Sequence, residues 1–430
     1  MDVVQLFGNK VSNLAQVDVD RARSLLLFGW KAQMLKLRAA PDKRLPKSRQ
    51  YAAQVAMRKV LDVFGNPAHA AAMSVFAPYE PLAAAGYTPF SVEQISCWMA
   101  GSQTERLFLD AAAEAGFAET MCSYHRTFLG AWASGILPEP AFSVYTTLAC
   151  DGNLITFPWL TRTRGVPGFC IDVPYERSEE SVREVIAQLH DLMSFIGEQT
   201  GKPVDEGALV AACERSWRCA LAWRRFFEAS PGRRLPADMT SEMYAFLMNH
   251  VVLGSPESER FCQMLADEME GAPASKGLRI VWLHTMPFSQ APAIQRLNFN
   301  DHAFITACDL SADPLLIDVD PRDPYDAMAR RLVYSCMNGP VQARIDRALD
   351  LVKRTDADGV VVFGHWGCKA TLGAAALITA GLEDAGVPCL VLDGDGVDAA
   401  NRSDGQTATR LDAFLELLGA RVAGEGRGAA

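Results

Sequence analysis

The 430-residue sequence contains eleven cysteines, yet none of them form a CxxC pair. That absence removes zinc-ribbon and thioredoxin-like readings. There is no GxGxxG after a strand and no GxxxxGK followed by Ser or Thr, so neither dinucleotide nor P-loop binding has motif support. A GxSxG elbow and an HExxH helix are also missing, which removes the usual hydrolase and metalloprotease readings. Apolar runs such as "TLGAAALITAG" fall short of the roughly 20 residues that a membrane helix needs, so no membrane partner is expected. Positive charge is in deficit: 41 Lys and Arg stand against 51 Asp and Glu, a net charge of −10, which argues against a nucleic-acid partner. The opening residues, "MDVVQLFGNKVSNLAQVDVD", lack the basic-then-apolar pattern of a signal peptide, and a cytoplasmic location is expected. In that compartment an odd number of scattered cysteines is not a disulfide framework.

What is present is an ordinary globular composition, 49% apolar and 21% charged, in a chain too long for one core. Apolar residues recur at helical spacing over 19–37 and 48–64, so residues 1–71 read as an N-terminal helical segment. From "AAMSVFAPYEPLAAAGYTPF" onward the texture is that of an α/β layer, strand then loop then short helix then strand. "GFAETMCSYH", "PAFSVYTTLACDGN" and "GVPGFCIDVPYE" read as further strands, followed by helical patterns over 181–200, 205–229 and 242–250. These assign residues 72–272 to a first α/β domain with a helical insertion. The segment 270–277, "EGAPASKG", reads as a linker, and residues 273–430 as a second α/β domain. There "LRIVWLHTMPF", "HAFITACDL", "VVVFGH" and "VPCLVLDGD" are strands alternating with amphipathic helices, the pattern of a parallel, doubly wound sheet. The closing "AGEGRGAA" reads as a frayed tail.

Three cysteines share one topological property. Cys122, Cys150 and Cys368 each lie just past the carboxyl end of an expected strand, where open α/β sheets bind ligands. Cys122 and Cys368 also open expected helices, whose N-termini favour the thiolate. The other cysteines read mostly as core: Cys170, Cys308 and Cys389 inside strands, Cys213, Cys219 and Cys262 on helices, with Cys97 and Cys336 undecided. A closed structural zinc site wants four protein ligands. A cluster held by three thiolates leaves one iron free for chemistry. His365, three residues before Cys368 in a glycine-bounded turn, is placed to contact whatever that cysteine binds. His125 and His284 read as structural or capping residues, and Asp151, Asp393 and Asp395 as turn residues.

The stretch "DGVVVFGHWGCKATLGAAALITAGLEDAGVPCLVLDGDGVDAANRSDGQTATRLDAFLELL" resembles the C-terminal half of the 2-hydroxyacyl-CoA dehydratase D-component family, which includes benzoyl-CoA reductase subunits. "RRLPADMTSEMYAFLMNHVVLGS", "RIVWLHTMPF", "CDGN" and the Cys122 segment are similar to it as well, so the likeness spans residues 72–419. It implies two flavodoxin-like α/β domains with a helical portion. It also implies a 4Fe–4S cluster on the cysteines that match by position, Cys122, Cys150 and Cys368. One departure is Gly396, where relatives often carry a cysteine in the DGD loop. The implied activity is elimination of water from a 2-hydroxyacyl-CoA through a one-electron ketyl radical, with His365 donating a hydrogen bond or proton to the leaving oxygen. The implied partners are a homologous second subunit and an ATP-dependent iron–sulfur activator. Two alternatives stay open: a benzoyl-CoA-reductase-type or double-cluster reductase subunit, and an electron-transfer or structural partner of a catalytic sister chain. A zinc hydrolase built on Cys368 and His365 ranks third, since no general-base glutamate sits nearby in a recognisable motif.

Overall fold

The computed structural model describes residues 3–424. It opens with three helices, α1 (Val3–Ala15), α2 (Val19–Ala39) and α3 (Lys47–Gly65). The Asp18 side chain caps α2 by accepting from the Arg21 amide at 3.0 Å. Its buried residues Ala22, Leu26, Trp30 and Met34 recur every fourth position, one inward stripe on an otherwise polar helix. Both α2 and α3 lie where the helical spacing predicts them. The added helix α1 packs through Gly8, where a Cβ would lie 2.3 Å from the Gln103 carbonyl oxygen.

The first sheet follows. Its elements are β1 (Ala70–Met73), α4 (Glu80–Ala85), β2 (Thr88–Ser91), α5 (Val92–Gly101), α6 (Glu105–Glu114), α7 (Ser123–Ala133), β3 (Phe142–Thr146), α8 (Asn153–Arg164) and β4 (Gly168–Ile171). The strands are parallel in the order β2-β1-β3-β4. Pro89 sits in edge strand β2, where a missing amide hydrogen is tolerated. One expected strand is not formed: of "GFAETMCSYH", residues 116–122 are a turn between α6 and α7, and Ser123, Tyr124 and His125 open α7. Gly116, at φ +90°, ends the preceding helix, and Met121 N donates to Ala118 O at 3.0 Å, closing a turn where a strand would need an extended chain.

Four helices, α9 (Glu179–Thr200), α10 (Glu206–Ala229), α11 (Met239–His250) and α12 (Pro256–Glu270), lead to the second sheet. Its elements are β5 (Leu278–Leu283), α13 (Ala291–Leu297), β6 (Ala303–Cys308), α14 (Asp309–Ala312), α15 (Pro324–Val333), α16 (Gln342–Thr355), β7 (Gly359–His365), α17 (Lys369–Asp384), β8 (Cys389–Gly394) and α18 (Asp404–Gly424). Here the parallel order is β6-β5-β7-β8. Counted from its own first strand, each sheet reads second-first-third-fourth, the start of the flavodoxin-like order. The chain therefore repeats one topology twice, a symmetry that the residues alone leave open. Every residue of β7 is buried, as expected of a strand covered on both faces. Of the expected tail, Ala423 and Gly424 end α18; the rest lies outside the described residues. Among the described residues no helix is long and apolar enough to cross a membrane.

The parts are tied by buried polar contacts. Glu80 on α4 accepts from Ser216 of α10 at 2.6 Å and pairs with Arg331 of α15. Ser123, the first residue of α7, donates to Asp395 beyond β8 at 2.6 Å.

Candidate functional site

The second sheet reverses its strand order between β5 and β7, which opens a crevice beyond their carboxyl ends. β5 runs into His284 and β7 ends at His365. After His365 the chain turns through Gly367, at φ +80°, and Cys368 N donates back to His365 O at 3.0 Å. Cys368 is then the N-cap of α17. A Cβ on Gly367 would lie 2.7 Å from the Cys122 nitrogen, so this turn touches the Cys122 backbone directly. Cys122 is itself the N-cap of α7. Cys150 follows β3 by a short loop whose Ala149 is held at φ 60°.

Each of the three thiols has its own imidazole. Cys122 Sγ lies 3.3 Å from His365 Nε2, Cys150 Sγ 3.1 Å from His125 Nε2, and Cys368 Sγ 3.4 Å from His284 Nε2. Each partner comes from a different segment. The histidines also adjoin one another, with the His284 and His365 rings stacked at 6.0 Å. His125 and His365 are buried and His284 half-buried, and all three are held neutral. Burial lowers His125 and His284 to about 3, with further lowering from His365 on the first and from Arg344 on the second. His365 falls to about 4, lowered by burial first and by His284, with Asp395 opposing. For His365 the tautomer follows from its partners. The Gly396 amide donates to Nδ1 at 3.1 Å, so the proton resides on Nε2 and points at the Cys122 sulfur.

Supporting groups hold this arrangement. Buried Asp395 accepts from Ser123 Oγ, from the Val397 and Asp398 amides at 2.8 and 2.9 Å, and from Asn401 at 3.0 Å, joining the start of α7 to the DGD loop. Asp151 and Asp393 instead form the outer ion pairs with Lys369 and Arg410, both at 3.4 Å. His284 sits at φ 81°, an expensive conformation for a residue with a side chain, and its amide is held by Asp309 at 2.7 Å. At Gly152 a Cβ would lie 2.6 Å from the His125 ring, so the "CDGN" glycine leaves room for the imidazole that reaches Cys150. Gly396 faces the Tyr124 phenol, whose oxygen would be 2.3 Å from an added Cβ.

In the metal-free protein, burial outweighs the helix N-terminus. It drives the Cys122 thiol well above its ordinary range, reinforced by the charges that Cys150 and Cys368 would carry. Backbone amides of His125 and Tyr124 oppose it with smaller effect. Cys150 is also pushed up, by burial, then Glu93, then Cys368. Ionising the Cys122 and Cys150 thiols here calls for a positive partner.

Sequence reading missed one more group. Glu93, in the first turn of α5, follows Ser91 and reads as an ordinary helix start. In the fold its Oε2 is buried without a hydrogen-bond partner. Burial lifts its carboxyl to about 7, against its own amide and the Ser91 hydroxyl. A charge on it would raise the Cys97 and Cys150 thiols.

Among the described residues no three His, Cys, Asp or Glu side chains are drawn tightly enough around one point to hold a single metal ion.

Comparison with known proteins adds a family. The model for the D-component of 2-hydroxyglutaryl-CoA dehydratase matches residues 74–418. The chain is 24% identical over 335 residues to the alpha subunit of (R)-phenyllactyl-CoA dehydratase from Clostridium sporogenes, covering 72% of this chain and 80% of that protein. It is 23% identical to the alpha subunit of lactoyl-CoA dehydratase from Anaerotignum propionicum, covering 73% and 82%. It is 22% identical to subunit alpha of (R)-2-hydroxyglutaryl-CoA dehydratase from Acidaminococcus fermentans, covering 68% and 63%.

Proposed function

This chain belongs to the 2-hydroxyglutaryl-CoA dehydratase D-component family, and we propose that it is the iron–sulfur subunit of a 2-hydroxyacyl-CoA dehydratase. In this reading Cys122, Cys150 and Cys368 hold a 4Fe–4S cluster. The observation that carries it is the meeting of three thiols from three distant segments, each beside a neutral imidazole. The donor set fits the group. A single zinc gathers its sulfur ligands to about 2.3 Å of one centre, and no such tight cluster exists among the described residues. The corner ligands of a cluster each bind a separate iron and stand farther apart.

The chemical difficulty is a β-proton that the thioester does not activate. One electron in the thioester carbonyl gives a ketyl radical anion, which expels the α-hydroxyl; the β-proton then becomes acidic, is removed, and the electron returns. When bound, the cluster supplies that electron and an open iron acting as a Lewis acid. The chain's own residues do the rest. His365 Nε2–H, locked by the Gly396 amide, holds the Cys122 sulfur; His125 and His284 hold Cys150 and Cys368. Proton donation by His365 to the leaving oxygen would require Nε2–H to leave Cys122, so its role here is positioning. Glu93, whose Oε2 has no hydrogen-bond partner and whose carboxyl is lifted to about 7, is the proposed base for the β-proton. The named relatives are alpha subunits, which supports a homologous second subunit as partner. With no phosphate-binding loop in this sequence, an ATP-dependent iron–sulfur activator supplies the electron in this reading.

The test is anaerobic purification followed by iron and activity assays. The chain is expected to carry about four irons and broad visible absorbance, and with its partners to convert a 2-hydroxyacyl-CoA to the enoyl-CoA. Cys368→Ala is expected to lose iron and absorbance while keeping its far-ultraviolet circular dichroism. Retained iron and activity would remove Cys368 from the site.

A further inference from the structure

The left-handed backbone of His284 is held from the neighbouring strand. β6 ends at Cys308 and α14 begins with Asp309, and these two consecutive residues take both polar groups of the His284 backbone. Cys308 Sγ donates to the His284 carbonyl at 3.3 Å, and Asp309 Oδ1 accepts from its amide at 2.7 Å. The same oxygen accepts from the Leu310 amide at 2.7 Å. Asp309 is 1% exposed, so its charge needs a partner inside the protein. Arg344 of α16 is that partner: Nη2 donates to Asp309 Oδ2 at 3.2 Å. Its Nη1 lies 3.3 Å from Thr371 Oγ1, and Thr371 stands in the first turn of α17, three residues after Cys368. Arg344 is itself 6% exposed, and its Nε finds no hydrogen-bond partner among the described residues. Its charge adds to burial in keeping the His284 ring neutral.

One guanidinium therefore spans the two segments that bring His284 and Cys368 together. One arm reaches His284 through the Asp309 carboxylate; the other reaches the helix turn that Cys368 caps. A buried ion pair adds little net stability over an apolar replacement, because desolvation offsets most of the attraction. A planar fork with arms in fixed directions is suited instead to fixing geometry. We propose that Arg344 is a positioning residue, which sets the 3.4 Å contact between His284 Nε2 and Cys368 Sγ and through it the reduction potential of the cluster. The inference rests on the cluster reading and deepens it by naming what tunes the Cys368 corner. A metal-bound thiolate can only accept, so the neutral ring presents Nε2–H to it; Thr285 Oγ1, 3.2 Å from Nδ1, is able to donate to the other nitrogen. Hydrogen bonds to the sulfurs favour the reduced, more negative cluster and so raise its potential. Without the fork, His284 relaxes from φ 81°, the contact loosens and the potential falls.

The test compares anaerobically reconstituted full-length protein with its variants by redox titration of the cluster followed by electron paramagnetic resonance. Arg344→Met removes fork and charge, Arg344→Lys keeps the charge without the fork, and Thr371→Val removes only the acceptor at the Cys368 end. Arg279→Met is the control, since it takes a buried arginine, bonded to Asp356, from the opposite end of β5. At the parent's midpoint, Arg344→Met is expected to show a reduced-to-oxidised ratio about tenfold lower, a shift of about 59 mV to more negative potential for one electron. Arg344→Lys is expected to shift as far and Thr371→Val less far in the same direction, while the control keeps the parent potential. In metal-free Arg344→Met the His284 amide is expected to exchange its hydrogen on the order of tenfold faster than in the parent. A parent potential in Arg344→Met or in Thr371→Val overturns the inference, as does an equal shift in the control. Recovery of the parent potential by Arg344→Lys overturns it too, since charge alone would then act. Should Arg344→Met fail to fold, Thr371→Val decides. If the parent carries no reducible iron, the cluster reading itself falls; equal His284 exchange in parent and Arg344→Met removes the positioning role whether or not iron is bound.

Discussion

Gly367→Ala probes how the two halves of the chain set the cysteine geometry. At φ +80° any residue with a Cβ pays about 1–2 kcal/mol for the left-handed conformation. The new methyl would also lie 2.7 Å from the Cys122 nitrogen and 2.8 Å from its Cα, backbone that cannot swing aside as a side chain would. Overpacking of this kind adds about 1–3 kcal/mol. Gly386→Ala is the control: it sits at φ +75° with nothing within 4 Å of its would-be Cβ, so it bears the first cost alone. The variants are compared by denaturant unfolding of the metal-free protein and by iron retained after anaerobic reconstitution. Gly367→Ala is expected to lose about 1–3 kcal/mol more than the control and most of its iron, because relief of the clash moves Cys122 away from Cys368. Equal destabilisation of the two variants, with iron kept in both, would refute the claim that this backbone contact sets the spacing of the thiols.

Two further outcomes are expected. Glu93→Gln should keep its iron and lower kcat by about 10²–10⁴-fold with little change in KM, and should remove the acid limb near pH 7 that the parent shows as its carboxylate protonates; an unchanged pH profile would exclude Glu93 as the base. His125, His284 and His365 all fall from 6.5 to about 3 or 4 on folding, so the unfolded chain takes up protons that the folded one refuses. Stability of the metal-free protein is therefore complete above about pH 6.5 and declines as pH falls towards 4, by on the order of 2 kcal/mol per histidine at about pH 5; unfolding midpoints that do not move between about pH 7 and pH 5 would count against neutral buried imidazoles at the site.

Much of the architecture was legible because its signals are local. A continuous apolar run bounded by glycine, as in β7, can be buried on both faces, and the alternation of such runs with amphipathic helices leaves a parallel sheet as the natural arrangement. Where the local signal misled, at "GFAETMCSYH", the composition resembled a strand but the glycine-ended turn and the start of α7 prevailed. Cys122 thus reaches the site from a helix N-cap rather than from a strand end. His125 illustrates the limit of spacing arguments. It follows Cys122 by three residues, which suggests a shared role, yet its ring turns to Cys150 through the gap that Gly152 leaves.

By itself the sequence determined the two parallel layers, the helix starts at Cys122 and Cys368, and the candidacy of three strand-end or cap-position thiols, because dihedral preference, periodicity and capping act over a few residues. Tertiary structure alone decided which imidazole serves which sulfur and that the Oε2 atom of Glu93 is buried without a partner. Those facts depend on contacts between segments tens to hundreds of residues apart, and they arise only when burial of both sheets brings the Gly367 turn against the Cys122 backbone.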